Sequence, residues 1–299
     1  MKNRIMIPGL MKNAMFMLAA FLMIGLAACD KEEGIITDDL SIETDLTSQE
    51  ETVDSYFDET DDIAFEANTK IDNGAINGRS GLDNSDEITR CAEITHDEEN
   101  KTITIDFGDG CVGPGGVERS GKIIITYTDR KYVPGAVWVY TLENYTVNGI
   151  ALEGTKTLTN VSESLDDYLS FNKVLEGGKA TWPDGAVATR EVNKTFTWVR
   201  EAHPINDEFW VEGEASGTTK EGVAYSVEIL SKMIYKRKCR RQGIHIAVQG
   251  IKSIKKDGQP DVLVDFGDGE CDSLVTITKE GESIVVDLKE ERKKRRLKA

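Results

Sequence analysis

Hydrophobic and polar positions divide the chain into three regimes. An apolar run, Ala14-Met15-Phe16-Met17-Leu18-Ala19-Ala20-Phe21-Leu22-Met23-Ile24-Gly25, lies near the start. After Ser48, Val53, Tyr56, Phe57, Ile63, Ala64 and Ala67 recur at roughly helical spacing, which predicts one short amphipathic helix, about Gln49 to Lys70, within the segment 48–71. Ser48-Gln49-Glu50-Glu51 reads as a capping box, and acids in the first turn suit the helix dipole. The stripe is expected to pack on the sheet or to be poorly ordered, rather than to meet a partner. A Gly/Asn/Ser/Asp-rich stretch, 72–89, reads as a linker.

From 90 to 289 the pattern is strands and tight turns. Lys101–Phe107 alternates, and Lys122–Tyr127 and Val137–Leu142 are β-branched and aromatic. Asn148-Gly149 predicts a type I′ hairpin between Tyr145–Val147 and Ile150–Leu152. Further turns are expected at Glu176-Gly177-Gly178, Pro183-Asp184-Gly185, Lys255-Lys256-Asp257-Gly258 and Glu280-Gly281, with long strands at Val187–Val199, Phe209–Thr218 and Val223–Leu230. Turn signals about every ten residues, with no helical pattern between them, indicate an all-β fold: an antiparallel meander rolled into a sandwich, half-barrel or barrel.

The first 28 residues have the organisation of a secretory signal peptide. Lys2, Arg4 and Lys12 form a basic region, the apolar run follows, and small residues precede Cys29. Met11 opens a complete signal of its own. Leu26-Ala27-Ala28-Cys29 resembles the lipobox of bacterial lipoproteins, which implies cleavage before Cys29, diacylglycerol on its thiol and a membrane partner reached through lipid. Two or more acyl chains anchor stably where one is marginal. Asp30-Lys31-Glu32-Glu33 resembles the surface-export signal of Bacteroidetes lipoproteins and implies the outer membrane, facing the cell surface rather than the periplasm.

The formal net charge is −17. Acids crowd the front, so 29–47 is expected to be an extended acidic tether. This acidity excludes nucleic acid as a partner, since phosphate binding needs clustered cations. The end, 290–299, is the exception: Arg292-Lys293-Lys294-Arg295-Arg296-Leu297-Lys298 reads as a solvated basic tail.

Once Cys29 carries lipid, Cys91, Cys111, Cys239 and Cys271 remain, an even number that suggests two disulfides in an exported chain. Three connectivities are possible, and a repeat selects one. Ile103–Cys111 ends in Asp-Phe-Gly-Asp-Gly-Cys, and Val262–Cys271 ends in Asp-Phe-Gly-Asp-Gly-Glu-Cys. Each copy follows an unpaired cysteine, so pairing within each copy is expected: Cys91–Cys111 and Cys239–Cys271. The motif reads first as turn chemistry, because glycine tolerates φ > 0 and aspartate caps its own turn. Asp106, Asp109, Asp265 and Asp268 are weaker calcium candidates, since their spacing departs from an EF-hand loop.

Arg90-Cys91, the first repeat, Arg119–Ile123, Glu143–Gly149, Ala215–Gly217 and Gly222–Tyr225 together resemble a group of uncharacterised Bacteroidetes surface or outer-membrane lipoproteins. The resemblance implies export and a β-rich body, and carries no activity or functional residues with it.

No catalytic constellation stands out. His96, His203 and His245 lack metal-site spacing, Gly-x-Ser-x-Gly is absent, and no cofactor motif occurs. Trp138, Tyr140, Tyr145, Trp182, Trp198, Phe209 and Trp210 fall on or beside strands, with Trp182 and Trp210 the best candidates for an exposed ligand platform. Phe209 and Trp210, as neighbours, must point to opposite faces. Three readings follow. One is a binding or scaffold lipoprotein for a glycan or partner protein, marked by an exposed aromatic row. The second is a carrier of lipid or lipoprotein in a curved sheet, marked by an apolar, ligand-sized hollow. The third is an envelope hydrolase, marked by carboxylates converging about 5–10 Å apart.

Overall fold

The computed structural model describes residues 38–72, 88–164 and 168–296. The signal segment, Cys29, the first part of the expected tether and most of the expected linker lie outside the described residues. The order is α1 (Asp38–Asp72), β1 (Glu93–Asp97), β2 (Thr102–Asp106), β3 (Cys111–Val112), β4 (Glu118–Tyr127), β5 (Val137–Val147), β6 (Ile150–Asn160), β7 (Leu169–Thr181) and β8 (Val187–Val199). It continues with β9 (Glu208–Thr218), β10 (Ala224–Lys236), α2 (Arg237–Arg240), β11 (Gln249–Lys255), β12 (Val262–Asp268), β13 (Leu274–Lys279), β14 (Glu282–Asp287) and α3 (Leu288–Arg296).

All fourteen strands belong to one antiparallel sheet, a meander in chain order with only the short β3 off the path, on β4. The sheet is open, with β1 and β14 as its edges. A single sheet removes the sandwich alternative. Asn148 and Gly149 take φ of 50° and 77°, both positive as a type I′ turn requires, and Val147 faces Ile150 across it. Glu176-Gly177-Gly178 does not reverse the chain as expected; it is a bulge inside β7, where pairing shifts between Leu175 and Gly178. A Cβ on Gly178 would lie 2.3 Å from the Arg190 carbonyl oxygen, so only glycine admits that strand contact.

The sheet wraps around α1. Ion pairs join this helix to Arg119 on β4 at one extreme and to Lys279 on β13 at the other. Laid flat, those strands stand about 43 Å apart at ~4.8 Å per step. The helical segment from Glu43 to Glu59 rises only about 24 Å. Only a curled sheet brings both strands to one helix. Apolar positions of α1, including Val53, Phe57, Ile63, Ala64 and Ala67, are buried against Ile123, Ile125, Tyr140 and Leu175 in the same core.

α1 also carries a stripe of charge into the concave face, with Glu43, Glu50, Glu51 and Asp54 buried. Glu43, Glu50, Asp54, Asp58 and Asp61 recur at intervals of three, four or seven residues and form one stripe. Glu43 meets Lys256 at 2.6 Å and Lys279 at 2.9 Å. Glu50 meets Arg190 at 2.5 Å and also pairs with Lys252, which reaches Glu51 at 2.5 Å. Asp54 binds Arg190 at 2.8 Å and Lys194 at 2.7 Å. Asp58 pairs with Lys173, and Asp61 binds Lys156 at 2.5 Å and Lys173 at 3.3 Å. Glu59 pairs with Arg119, and Asp62 with Arg240.

These contacts correct two expectations. The helix starts at Asp38, ten residues before Ser48, so the second half of the expected tether is helical and largely buried. Its acids do not force the chain to extend, because inward-facing cations neutralise them. Ser48 is consequently mid-helix rather than a cap, and its carbonyl accepts from the Thr52 hydroxyl at 2.6 Å. At the other end, the expected basic tail is helical as far as Arg296, 288–296 forming α3. The Asp287 carboxylate accepts from the Lys289 and Glu290 N–H groups at 3.0 and 3.2 Å, and Leu288 is fully buried.

Two expected disulfides are present, Cys91–Cys111 and Cys239–Cys271, with Cα separations of 5.8 and 5.0 Å. Both copies make the same aspartate hydrogen bond, Asp106 accepting from the Gly108 N–H at 2.8 Å and Asp265 from the Gly267 N–H at 2.9 Å, but the first turns the chain after β2 whereas the second is a bulge inside β12, where pairing with β11 shifts. Phe107 and Phe266 enter the core.

Two predictions follow from the buried charges. Burial pushes the α1 carboxylates up, but Lys252 and Arg190 hold Glu50 down, Arg190 and Lys194 hold Asp54 well down, and Lys156 and Lys173 hold Asp61 down at about 2. Folded values below unfolded ones contribute stability that is complete above about pH 5 and is lost towards pH 2. Near-UV circular dichroism should show cooperative acid unfolding in that window. Arg190 is fully buried, so Arg190→Met leaves Glu50 and Asp54 short of their shared partner; chemical denaturation should register a loss of roughly 3–5 kcal/mol.

Candidate functional site

A hollow of about 460 Å³ lies between the C-terminal half of α1 and one end of the sheet. That volume is in the range of sites for drug-sized molecules, roughly 300–1,000 Å³. Its floor is a cross-strand aromatic ladder. Phe171 on β7 faces Phe196 on β8, and Trp198 faces Phe209 on β9, which in turn faces Tyr235 on β10. Phe196 and Phe209 stack at 5.3 Å with their planes 15° apart, and Phe65 of α1 meets the Trp198 edge at 6.1 Å. Alternation puts these rings on the concave face, because Phe171, Phe196 and Trp198 share the phase of the buried Leu169, Val192 and Ala188.

The loops at this end are pinned. Trp198 donates its indole N–H to Asp207 at 2.9 Å, and Asp207 also accepts from the Glu201 N–H. Arg237, at the start of α2, pairs with Asp207 at 3.4 Å and lies over the Trp198 ring. The loop between β4 and β5 is held by buried Asn160, whose amide donates to the Lys131 carbonyl at 3.0 Å.

Six cationic side chains line the hollow, Lys131, Lys173, Lys194, Arg237, Arg240 and Arg241, against three carboxylates, Asp58, Asp61 and Asp62. This local surplus runs against a chain of net charge −17. Asp58, Asp61 and Asp62 are all ion-paired, and Asp61 is held at about 2. A hydrolase of the two-carboxylate kind needs one carboxyl raised enough to donate a proton, which is the reverse of what Asp61 offers. Lys131 differs from the other cations. It is nine-tenths buried, its ammonium sits 5.3 Å from the Phe65 centroid and 5.5 Å from that of Phe171, and burial pushes it down to about 8 against the pull of Asp61.

The two tryptophans singled out by sequence do not form one platform. Trp182 follows β7 at the Val187 end of the β7–β8 pair and packs partly on the core, with the Lys220 ammonium 4.6 Å from its ring. Trp210 is near the opposite strand ends, roughly 30 Å away at ~3.3 Å per residue. As alternation requires, Phe209 lines the hollow while Trp210 points outward, where it meets exposed Tyr168 at 6.4 Å and Lys232 at 4.0 Å. That is one pair of rings, not a row.

Of the calcium candidates, Asp265 and Asp268 line one small hollow with Glu270 and Asp272, far along the chain from Asp106 and Asp109. Among the described residues no three His, Cys, Asp or Glu side chains converge as a metal site, and Asp106 is engaged by Lys122 at 2.8 Å. His96 is near the first edge of the sheet, bonded to the Tyr127 hydroxyl at 2.7 Å, whereas exposed His245 lines the hollow.

Sequence reasoning named Trp198 and Phe209 among the strand aromatics but missed Lys131, Phe171 and Phe196. For Phe196 the available signal was a strand in which cations alternate with apolar residues in one phase, Ala188-x-Arg190-x-Val192-x-Lys194-x-Phe196; Lys131 lies in the loop between β4 and β5, where no strand phase marks it. Set beside known proteins, the chain matches no family model, no curated protein and no solved structure.

Proposed function

We propose that this protein is a lipid-anchored envelope binding protein, held to the outer membrane through acyl chains on Cys29, whose hollow receives a small molecule bearing an apolar chain or ring. The observation that carries the binding role is the aromatic-floored space of about 460 Å³ beside α1. Of the three readings open to the sequence, the carrier is the one an apolar, ligand-sized hollow favours. The anchor is supported by the Leu26-Ala27-Ala28-Cys29 motif directly after an apolar run. A body held only by lipid, with a ligand site at one end of its sheet, can load and unload amphiphilic molecules next to the bilayer that supplies them.

Two experiments test this reading. The full chain in phosphatidylcholine nanodiscs should enhance the fluorescence of the neutral probe N-phenyl-1-naphthylamine. Val211→Trp, which adds bulk inside the hollow, should weaken that binding by about tenfold or more; undiminished binding would rule out the hollow. For the anchor, wild-type cells should incorporate radiolabelled palmitate into the protein, and Cys29→Ser should abolish the label and release the chain from the membrane fraction. An unlabelled wild type would remove the anchor.

A further inference from the structure

The hollow has a polarity that its apolar floor does not account for. Lys131 is nine-tenths buried and its ammonium faces the cavity between the Phe65 and Phe171 rings. The charged groups that act on it are Asp61 and Asp62 of α1, Lys156 of β6 and Lys173 of β7. Both carboxylates are already committed, Asp61 to Lys156 and Lys173, and Asp62 to Arg240. Lys131 is thus a cation without a counter-ion of its own, placed where aromatic rings displace water. Such a placement opposes folding, because desolvation penalises the ammonium and pushes it down to about 8. A buried charge left in this state is explained by a ligand that supplies the missing anion.

We infer that the hollow takes a single-chain amphiphile with an anionic head, a carboxylate or a phosphate, and that Lys131 holds the head while the chain lies on the Phe171–Phe196–Phe209 floor. This rests on the reading of the hollow as a ligand site and adds the class of ligand. Arg237 and Arg240 do not compete for the head, because Asp207 and Asp62 already engage them. A volume of about 460 Å³ is some fifteen waters' worth at ~30 Å³ each, which suits one chain.

The test compares decanoate, decyl phosphate and 1-decanol by calorimetric titration of the full chain in phosphatidylcholine nanodiscs, with Lys131→Met and Lys131→Arg alongside. Wild type should bind at least one of the two anions about tenfold more tightly than the alcohol, and whichever anion is preferred identifies the head. Lys131→Met should erase that preference, leave 1-decanol binding in place and raise the Tm at pH 7, since the uncompensated charge is gone. Lys131→Arg should keep the preference. A purely structural lysine would instead lower the Tm on substitution and leave the preference intact, which overturns the inference. Equal binding of all three ligands, or failure of all three while N-phenyl-1-naphthylamine still binds, overturns the inference and spares the hollow. Failure of every ligand, the neutral probe included, overturns the hollow as well.

Discussion

The structure depends on the pairing of one acidic helix with cations that its own sheet turns inward. Without Lys156, Lys173, Arg190, Lys194, Lys252, Lys256 and Lys279, the stripe from Glu43 to Asp61 could not leave water. Without α1, the concave face of the sheet would hold at least seven unpaired cations. Neither element is plausible alone. Buried ion pairs are weak sources of net stability, because desolvation offsets much of their attraction. Their larger effect here is positional. Each carboxylate meets a particular strand, so the register of α1 along the trough is set from Lys279 on β13 to Arg119 on β4, and with it the curvature of the sheet.

That curvature makes the hollow. The apolar part of α1 fills the concave face where Ile63, Ala64 and Ala67 pack fully buried. At the end of β7 to β10 the rings stand off from the helix, and space remains between Asp58–Phe65 and the aromatic ladder. The same ion pairs that hold the helix also consume the carboxylates of the hollow, leaving it rich in cations. A chain that is strongly acidic overall therefore has a hollow with more cations than carboxylates in its lining.

The two disulfides and the two Asp-Phe-Gly-Asp-Gly motifs sit towards the two ends of the meander, in the segments around β1–β3 and β11–β13. An open sheet of fourteen strands has two edges, and its outer strands have fewer neighbours to hold them. Cross-links close to those ends constrain the parts most able to fray. The hollow lies at one end of the central strands β7 to β10, among the longest of the sheet, where neighbours on both sides hold the backbone.

Local patterning sufficed for much of this. Alternation and turn residues determined the all-β meander, the Asn148-Gly149 hairpin and the β8 limits, because strand period and turn chemistry act over a few residues. The duplicated motif determined the cysteine pairing. What depended on tertiary structure were the features set by charge and distance: that residues 38–47 are helical, that Glu176-Gly177-Gly178 bulges rather than turns, and that Lys131 meets Phe65 and Phe171. An acidic run read alone repels itself and extends; it folds only because lysines more than a hundred residues later in the chain arrive in phase with apolar strand positions. No local window contains both partners of such a pair, so the helix, the trough and the hollow between them existed only once the sheet had curled.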